Sequence, residues 1–498
     1  MNGAGQRTAT PPRPDGPAAA DLEAMVAELC RLLPAWLPGR RWYAGKGRGL
    51  PEVRPVLAEI VVPGAPALLQ TVFRTGDDEC YQFLVGAAPG PPGPGVPADA
   101  VIGDGRTPQG RRLTFYEATC DPALLSALLD RFVTAQPCGA LEYHHVPGAV
   151  IPAGLPARTL TGEQSNTSVA FGDRMMLKVL RRIMPGANTE LEMLTALERA
   201  GDVPSAAPLA WAQTPAADGA EPATLCILQE FVPSRGDGWS IATAQAQACI
   251  RATRASGPPP GDFRDEAFSL GRATAQVHRA LARQLRTRPL SPPEAAELTD
   301  TLMARLDDAL AEVPGLAPYA RGLHHAYQDL RETVQRGTPL PVQRIHGDLH
   351  LGQALRAADA WVLIDFEGEP GHPFAERRHP QPAVRDVAAM LRSFDYAAHH
   401  ALGDVLGAPP ASPASRDPRG TRLARRATDW TARTRRAFCA GYTAAGGPDP
   451  RTSPALLRAF EADKAVYEAL YEARNRPEWL PIPLAAVRRL AHAGGSAH

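Results

Sequence analysis

The spacing of hydrophobic and polar positions changes about halfway along the chain. Apolar residues recur at helical spacing over residues 21–38, where Asp21 is the predicted cap of the helix. Alternating runs such as VRPVLAEIVV and LLQTVFR follow and predict strands. The Pro- and Gly-rich segment at residues 86–100 is predicted to be a surface loop, because it suits neither a helix nor a strand ladder. Residues 111–134 are predicted to form a strand and then a helix.

From about residue 157 the pattern predicts strands separated by polar turns, with the last strand ending near Lys178. A helix follows through TELEMLTALERA, and TLCILQEFV at residues 224–232 is an apolar strand that leads into a linker. Beyond it the chain is mostly helical, with Pro-rich breaks at 287–293 and 408–418. A β-rich half followed by a helical half predicts an α+β protein with two lobes.

Charge and composition narrow the range of partners. The chain has 53 Lys and Arg residues against 53 Asp and Glu residues, so we expect neither nucleic acid nor an anionic membrane as a partner. Its seven cysteines form no CxxC pair, which favours reduced thiols in a cytoplasm over a zinc site or disulfides. We expect no transmembrane helix, because no apolar run approaches roughly 18 residues. Residues 1–20 lack the apolar segment of a secretory signal and are predicted to be a disordered tail.

The densest chemistry lies in QRIHGDLHLGQALRAADAWVLIDFEGEP, residues 343–370. Like charges repel, so Asp348, Asp365 and Glu367 are expected to be organised by a cation or a substrate. Phosphoryl transfer from ATP needs a carboxylate for the substrate hydroxyl and hard oxygen ligands for Mg²⁺. Asp348 fits the first role, and Gln353 and Asp365 fit the second. In an extended strand Glu367 would face the same side as Asp365 and join the metal site. The alternative is an exposed charged turn whose histidines are structural.

These residues carry a family resemblance. HGDLHLGQ followed by DFEGEP resembles the catalytic core of the aminoglycoside-phosphotransferase-like kinases, which have a protein-kinase-like fold. Within that family the chain is most similar to actinobacterial maltokinases, through RRWYAGKGR, LRSFDYA and KAVYEALYEARNRPEWLPIP. The resemblance extends from about residue 24 to residue 490. The metal-binding amide of the wider family is usually Asn, and Gln353 is the form found in the maltokinase branch.

The resemblance implies a division into domains. We expect an N-terminal cap at residues 21–131, an intermediate kinase N-lobe with its hinge at 132–243, and a helical C-lobe at 244–498 that carries the catalytic and acceptor sites. Because 498 residues are too many for a single hydrophobic core, more than one domain is expected on size alone.

A nucleotide site is expected in the β-rich half. A kinase needs a lysine for the α- and β-phosphates and an acidic partner that orients it, and Lys178 with Glu192 is the predicted pair. Small and hydroxyl-bearing residues in the turn GEQSNTSV (162–169) could contact phosphate, although such residues also occupy ordinary hairpins. The backbone of the predicted hinge would bind adenine, although a plain linker is an equal alternative. The residues concerned are Ser165, Asn166 and Thr167 in the turn and Gln229, Glu230, Phe231 and Val232 in the hinge.

An acceptor site is expected on a C-terminal helix. Lys464, Tyr467, Glu468 and Tyr471 recur at i, i+3, i+4 and i+7, so they share one helix face that suits a sugar. The alternative is an amphipathic helix that buries its tyrosines as core. The resemblance favours the sugar site, because maltokinases hold the disaccharide with the matching segment. His346 is also predicted to contact the substrate, with a structural role left open.

The resemblance implies an ATP- and Mg²⁺-dependent maltokinase that makes maltose 1-phosphate for α-glucan synthesis. It also implies a functional link to trehalose synthase and maltosyltransferase, and we expect a monomer. The alternatives are a related kinase for another sugar, glucosamine or an aminoglycoside, and a catalytically inactive binding module. An aminoglycoside site should be strongly acidic, whereas the C-terminal segment is mixed in charge through Lys464, Arg474 and Arg476.

Overall fold

The computed structural model describes residues 21–47, 49–76, 79–160, 165–201, 203–215, 221–252, 261–369, 374–407 and 418–492. The predicted tail at 1–20 and most of the predicted Pro-rich break at 408–418 lie outside these residues. The chain divides into two compact units, Met1–Leu191 with Ala207–Phe231 and Glu192–Ala206 with Val232–His498. Within the described part of the chain, no helix has both the length and the apolar character needed to cross a membrane.

The first unit holds most of the strands. Its strands are β1 (Val53–Val62), β2 (Ala67–Thr75), β3 (Cys80–Ala88), β4 (Val101–Arg106), β5 (Arg112–Glu117), β6 (Glu142–His145), β7 (Ala157–Thr159), β8 (Thr167–Phe171), β9 (Met175–Val179), β10 (Arg182–Ile183), β11 (Pro208–Gln213) and β12 (Thr224–Glu230). Its helices are α1 (Leu22–Trp36) and α2 (Pro122–Thr134), and α3 (Thr189–Ala200) begins in this unit and continues into the second.

The second unit is mainly helical. Its further helices are α4 (Gly238–Arg251), α5 (Arg264–Gln284), α6 (Pro292–Glu312), α7 (Ala320–Gln335), α8 (Phe374–Arg377), α9 (Val384–Leu406), α10 (Pro418–Ala444), α11 (Pro454–Asn475) and α12 (Pro481–His492). Its short strands are β13 (Arg288–Pro289), β14 (Pro341–Gln343), β15 (Ala354–Arg356), β16 (Trp361–Leu363) and β17 (Gln381–Pro382). The predicted α+β class, with sheets first and helices later, is confirmed.

Two antiparallel sheets organise the first unit. One has the order β1-β2-β3-β5-β4, with β10 also paired to β3, and α1 covers it. The buried face of α1 presents Met25, Leu29 and Leu33, four residues apart, as the predicted apolar stripe requires. Asp21 stands at the start of this helix as predicted, but its side chain makes no capping hydrogen bond.

The second sheet has the order β6-β11-β12-β9-β8-β7, which places Lys178 on β9 between two neighbouring strands. One boundary in the first sheet corrects the sequence analysis. The predicted loop at 86–100 begins later, because β3 continues to Ala88. Gly86 therefore lies within the strand. Glycine suits this position because the ring of Tyr116 occupies the space that a side chain would need.

The two long helices α5 and α10 of the second unit approach unusually closely. A Cβ atom on Gly271 would lie 2.1 Å from the carbonyl oxygen of Phe438, and one on Gly441 would lie 1.9 Å from that of Phe268. Glycine at both crossing points therefore lets the two backbones touch. This contact fixes α10 within the helical core, where Trp430 is fully buried.

We expect Gly441→Ala to destabilise the protein by about 1–3 kcal/mol, the usual cost of forcing an extra methyl group into a packed core. Gly39→Ala is the matched control, because a Cβ at Gly39 meets no atom within 4 Å. Denaturant unfolding of both variants measures the difference. Equal midpoints for the two variants would contradict the close-packing explanation.

Candidate active site

Lys178 forms a buried ion pair in the first unit. Its ammonium lies 2.8 Å from the carboxylate of Glu190, and both side chains are almost completely buried. Strand β9 holds the lysine, and the first turn of α3 holds the glutamate. A buried charge is stable only when it is paired, so the two side chains fix each other's position.

The predicted pairing of Lys178 with Glu192 is wrong. Glu192 instead accepts a hydrogen bond of 2.8 Å from the guanidinium of Arg344, within the second unit. Two positions along a helix rotate a side chain by about 200°, so Glu190 and Glu192 point in nearly opposite directions. Both glutamates follow Lys178 closely in the sequence, and only the orientation of α3 separates them.

The predicted phosphate turn is partly described. Gly162, Glu163 and Gln164 lie outside the described residues. Asn166 is buried, and its amide oxygen accepts a 3.3 Å hydrogen bond from the backbone N–H of Arg181. Thr167 begins β8, and its hydroxyl accepts a 2.9 Å hydrogen bond from Nε of Arg181. The hydroxyl of Ser165 lies 3.5 Å from the amide nitrogen of Asn166.

The predicted hinge follows β12. Gln229 is a buried residue of this strand. The backbone N–H groups of Glu230 and Phe231 donate to the carbonyls of Ala207 and Arg174 at 2.8 and 3.0 Å. These two amides already have acceptors. The boundary between the two compact units falls between Phe231 and Val232.

In the second unit, the loop that carries Asp348 is held by the buried carboxylate of Asp386. This carboxylate accepts hydrogen bonds from the backbone N–H groups of His346 and Gly347 at 2.8 and 2.9 Å, and from His278 at 2.9 Å. Gly347 has φ of +83°, a conformation that suits glycine. Burial alone would raise the pKa of Asp386, but the hydrogen bonds from His278 and Gly347 hold it below its ordinary value.

Asp386 therefore braces the loop. The neighbouring Arg385 has different partners, because its guanidinium contacts Gln381 at 3.4 Å and Asp463 at 3.6 Å. The difference again reflects helix geometry: neighbouring positions at the start of α9 face different surroundings.

His346 does not lie where a substrate could reach it. The side chain is fully buried, Nε2 donates to the carbonyl of Ile364 at 2.8 Å, and Nδ1 accepts from the N–H of Asp348 at 3.4 Å. Both ring nitrogens are thus used to join the Asp348 loop to the chain before Asp365. The predicted contact with substrate is corrected to a structural role.

The predicted metal ligands lie close together: Asp365 and Glu367 follow β16, and Gln353 reaches them from the segment before β15. The side-chain amide of Gln353 donates to a carboxylate oxygen of Asp365 at 2.9 Å. Oxygens of Asp365 and Glu367 lie within 4.8 Å of each other. The reason differs from the one predicted, because the strand ends at Leu363 and Asp365 has φ of +66°, in the left-handed region. A non-glycine residue adopts this conformation at a cost of about 1–3 kcal/mol, which is typical of functional sites.

Lys464 joins Asp348 to a second carboxylate that the sequence analysis missed. Its ammonium lies 3.5 Å from Asp348 and 2.5 Å from Glu369, which is itself buried. Burial would lower the pKa of Lys464, but the carboxylates of Glu369, Asp348 and Glu468 hold it well above its usual range. Glu369 lies in the quoted DFEGEP motif. It could have been predicted from Lys464, because a buried lysine needs a carboxylate partner.

The other predicted acceptor residues lie on α11, and one of them has a different partner. Tyr467 and Tyr471 stack with ring centroids 6.5 Å apart, and the ammonium of Lys464 lies 4.9 Å from the ring centre of Tyr467. Tyr471 is exposed. The carboxylate of Glu468, by contrast, binds the fully buried guanidinium of Arg392 at 2.7 and 2.9 Å. Glu468 thus anchors α11 to α9, and its predicted hydrogen bonds to a sugar would compete with this ion pair.

Comparison with known proteins gives the family. Residues 156–408 match the phosphotransferase enzyme family, and residues 36–121 match the maltokinase N-terminal cap domain. The chain belongs to the phosphotransferase enzyme family. Phosphotransferase chemistry with a maltokinase-type cap is therefore shown for this protein.

Two curated relatives of this phosphotransferase are glucosamine kinases. The one from Streptacidiphilus jiangxiensis is 30% identical over 67% of this chain and 74% of its own length. The one from Mycolicibacterium smegmatis is 31% identical over 68% of this chain and 80% of its own length. A solved structure, a glucosamine kinase in complex with glucosamine, ADP and inorganic phosphate, has a TM-score of 0.63 at 23% identity and covers 88% of this chain and 93% of that chain. This structural likeness shows the shared fold.

We expect Asp386→Asn to destabilise the phosphotransferase by about 3 kcal/mol, because it removes a buried charge on which three donors converge. Since the pKa of Asp386 is depressed in the folded state, the deficit is present at neutral pH and declines only as the pH falls below 3.8. Denaturant unfolding as a function of pH measures it. Asp404→Asn is the matched control, since this aspartate lies half-exposed on the same helix. If Asp386→Asn were as stable as Asp404→Asn, the bracing role of Asp386 would be refuted.

Proposed function

We propose that this phosphotransferase is an ATP- and Mg²⁺-dependent maltokinase that phosphorylates the anomeric hydroxyl of maltose. The observation that carries the proposal is the ammonium of Lys464 between Asp348 and Glu369. The match of residues 36–121 to the maltokinase cap supports it. The product, maltose 1-phosphate, would serve as a building block for α-glucan synthesis.

Asp348 is the proposed proton acceptor. Its carboxylate would orient the anomeric hydroxyl and take its proton while the anomeric oxygen bonds to the γ-phosphorus of ATP and ADP leaves. The loop geometry suits this role, because Asp386 and His346 fix the backbone immediately before Asp348 and the N–H of Asp348 itself. A positioned carboxylate saves the entropy of ordering it in each reaction cycle.

The proposed metal ligands offer only hard oxygen atoms. Gln353, Asp365 and Glu367 supply one amide and two carboxylates, a donor set that fits Mg²⁺. The amide of Gln353 donates through its nitrogen to Asp365, so its carbonyl oxygen can still serve as a ligand. When bound, the metal would neutralise the charge of the phosphates. Lys178, oriented by Glu190, would hold the α- and β-phosphates of ATP.

Adenine recognition is proposed for the segment after β12. The N–H groups of Glu230 and Phe231 already donate within the first unit. Hydrogen bonds to adenine would therefore involve the carbonyl groups of this segment and the amide of Val232.

The charge around Asp348 favours a neutral acceptor. Lys464 is held protonated by its carboxylate neighbours, so a fixed positive charge stands 3.5 Å from the proposed base. The ammonium of glucosamine would be repelled by this charge and would have to compete with it for the same carboxylates. Maltose carries no charge, and the stacked rings of Tyr467 and Tyr471 offer apolar faces of the kind that sugars bind.

Glucosamine is the second candidate acceptor. It is favoured by the two curated relatives at 30% and 31% identity, both of which are glucosamine kinases. The two candidates share the nucleotide site and the phosphoryl-transfer step. They differ only in what the acceptor presents to Lys464, Glu369 and the tyrosines of α11.

The acceptor is tested by measuring ADP release with Mg²⁺-ATP across maltose, glucose, trehalose, glucosamine and kanamycin, with phosphorus NMR of each product. We expect turnover with maltose and an anomeric phosphate. In Asp348→Asn, kcat should fall at least about a hundredfold, the usual contribution of a general base, while the KM for ATP changes little.

Asp359→Asn is the control for that variant, because Asp359 is an exposed aspartate in the turn between β15 and β16. Retained turnover in Asp348→Asn would refute its role. Turnover on glucosamine or kanamycin alone would leave a kinase and overturn maltose as its acceptor.

The role of the positive charge on Lys464 is tested separately with Lys464→Met. Removing the ammonium leaves two carboxylates facing the acceptor, so we expect the ratio of kcat/KM for glucosamine to that for maltose to rise by about tenfold or more. Lys464→Arg keeps the positive charge and should leave the ratio low. A ratio that is the same in Lys464→Met and Lys464→Arg would show that charge does not select the acceptor.

A further inference from the structure

Arg181 is a fully buried arginine to which the proposed function assigns no role. It lies in the first unit between β9, which carries Lys178, and β10, which pairs with β3 of the first sheet. Its side chain is 1% exposed. A buried guanidinium has to be satisfied on several sides, and its partners divide into two groups.

The first group belongs to the cap. The guanidinium lies 3.1 Å from a carboxylate oxygen of Glu117 and 3.5 Å from the hydroxyl of Thr119, at the end of β5. It also stands over the indole of Trp42, 5.0 Å from the ring centre. All three partners lie within residues 36–121, the stretch that matches the maltokinase cap domain.

The second group belongs to the turn before β8. Nε of Arg181 donates to the hydroxyl of Thr167 at 2.9 Å, and its backbone N–H donates to the amide oxygen of Asn166 at 3.3 Å. One residue therefore holds the C-terminal side of the proposed phosphate turn with both its main chain and its side chain.

The surrounding main chain is also fixed to the cap. The backbone N–H of Gln82 on β3 donates to the carbonyl of Arg181 at 2.8 Å. The side-chain amide of Gln82 donates to the carbonyls of Leu180 and Leu225 at 2.7 and 2.9 Å. Because these contacts are buried, the position of Arg181 follows the position of the cap sheet.

We propose that Arg181 is a positioning residue through which the cap sets the geometry of the turn at Ser165–Thr167 and thereby the affinity for ATP. This inference rests on the proposed ATP-dependent function and on the expectation from the sequence that this turn contacts the phosphates of ATP. Arginine suits the position because its planar fork donates in several fixed directions at once, so that it can hold the cap and Thr167 together. A lysine could satisfy Glu117 but has no Nε–H for Thr167.

The test is a double-mutant cycle with Arg181→Lys, Thr167→Val and both together. Calorimetry without acceptor measures the Kd for Mg²⁺-ATP, and kinetics gives the KM for the acceptor. We expect each single variant to weaken ATP binding by about tenfold, the usual effect of losing a hydrogen bond to a charged group. The KM for the acceptor should change by less than about twofold, because no acceptor residue lies in this network. The double variant should bind ATP no more weakly than the single ones, since both remove the same link.

Arg182→Lys is the matched control. This neighbour also pairs with a cap glutamate, Glu79, at 2.6 Å, but it is half-exposed and lies on the strand that pairs with β3. It should leave ATP binding unchanged. Glu117→Gln provides a milder test that keeps the arginine: because it weakens only the cap side, a loss of ATP affinity would have to pass through Arg181.

The outcomes separate the two proposals. If the wild-type protein binds no Mg²⁺-ATP, the proposed function fails and this inference fails with it. If the wild type binds and a folded Arg181→Lys binds equally well, only this inference is overturned. Additive losses in the double variant would show that Arg181 does not act through Thr167. Should Arg181→Lys fail to fold, unchanged ATP affinity in both Glu117→Gln and Thr167→Val would overturn it.

Discussion

The hydrogen bonds accepted by the carboxylate of Asp386 are the interaction on which the loop that carries Asp348 depends. A loop backbone with two adjacent N–H groups directed inward needs an acceptor, and burial makes an unsatisfied donor costly. Asp386 supplies one charged group for both N–H groups, and His278 completes its shell. The direction of Asp348 follows from this constraint, because its backbone is fixed immediately before it in sequence.

The same requirement for pairing organises the rest of the unit. Arg392 is completely buried on α9 and is satisfied by Glu468 on α11 and by Asp395 one turn further along α9. With α11 anchored in this way, Lys464 projects towards Glu369 and Asp348. Buried ion pairs contribute little net stability compared with apolar packing, but they specify one arrangement because every alternative leaves a charge unpaired. That specificity places the ammonium of Lys464 beside Asp348 and Glu369.

Paired charges also explain the corrections to the sequence analysis. A glutamate two positions away on a helix faces another direction, so Lys178 binds Glu190 and leaves Glu192 to Arg344. Histidine is a residue type that can bind a substrate, but the ring nitrogens of His346 instead form hydrogen bonds to two separate stretches of backbone. The role of Glu369 was not predicted, because the local sequence of a charged motif does not show which residue an acidic side chain will pair with. Its partner Lys464 lies 95 residues later in the chain.

The sequence by itself determined the class of fold, the resemblance of its motifs to those of phosphotransferases, and several elements of the candidate site, among them β9, α3, β12 and α11. Periodicity and local motifs suffice for this, because both arise from residues close together in the chain. Only the tertiary structure decided which charges pair, that Asp365 adopts a left-handed conformation, and that Arg181 joins the cap to the turn before β8. These features depend on contacts between residues far apart in sequence, and the cost of burying an unpaired charge selects among them only once the chain has folded.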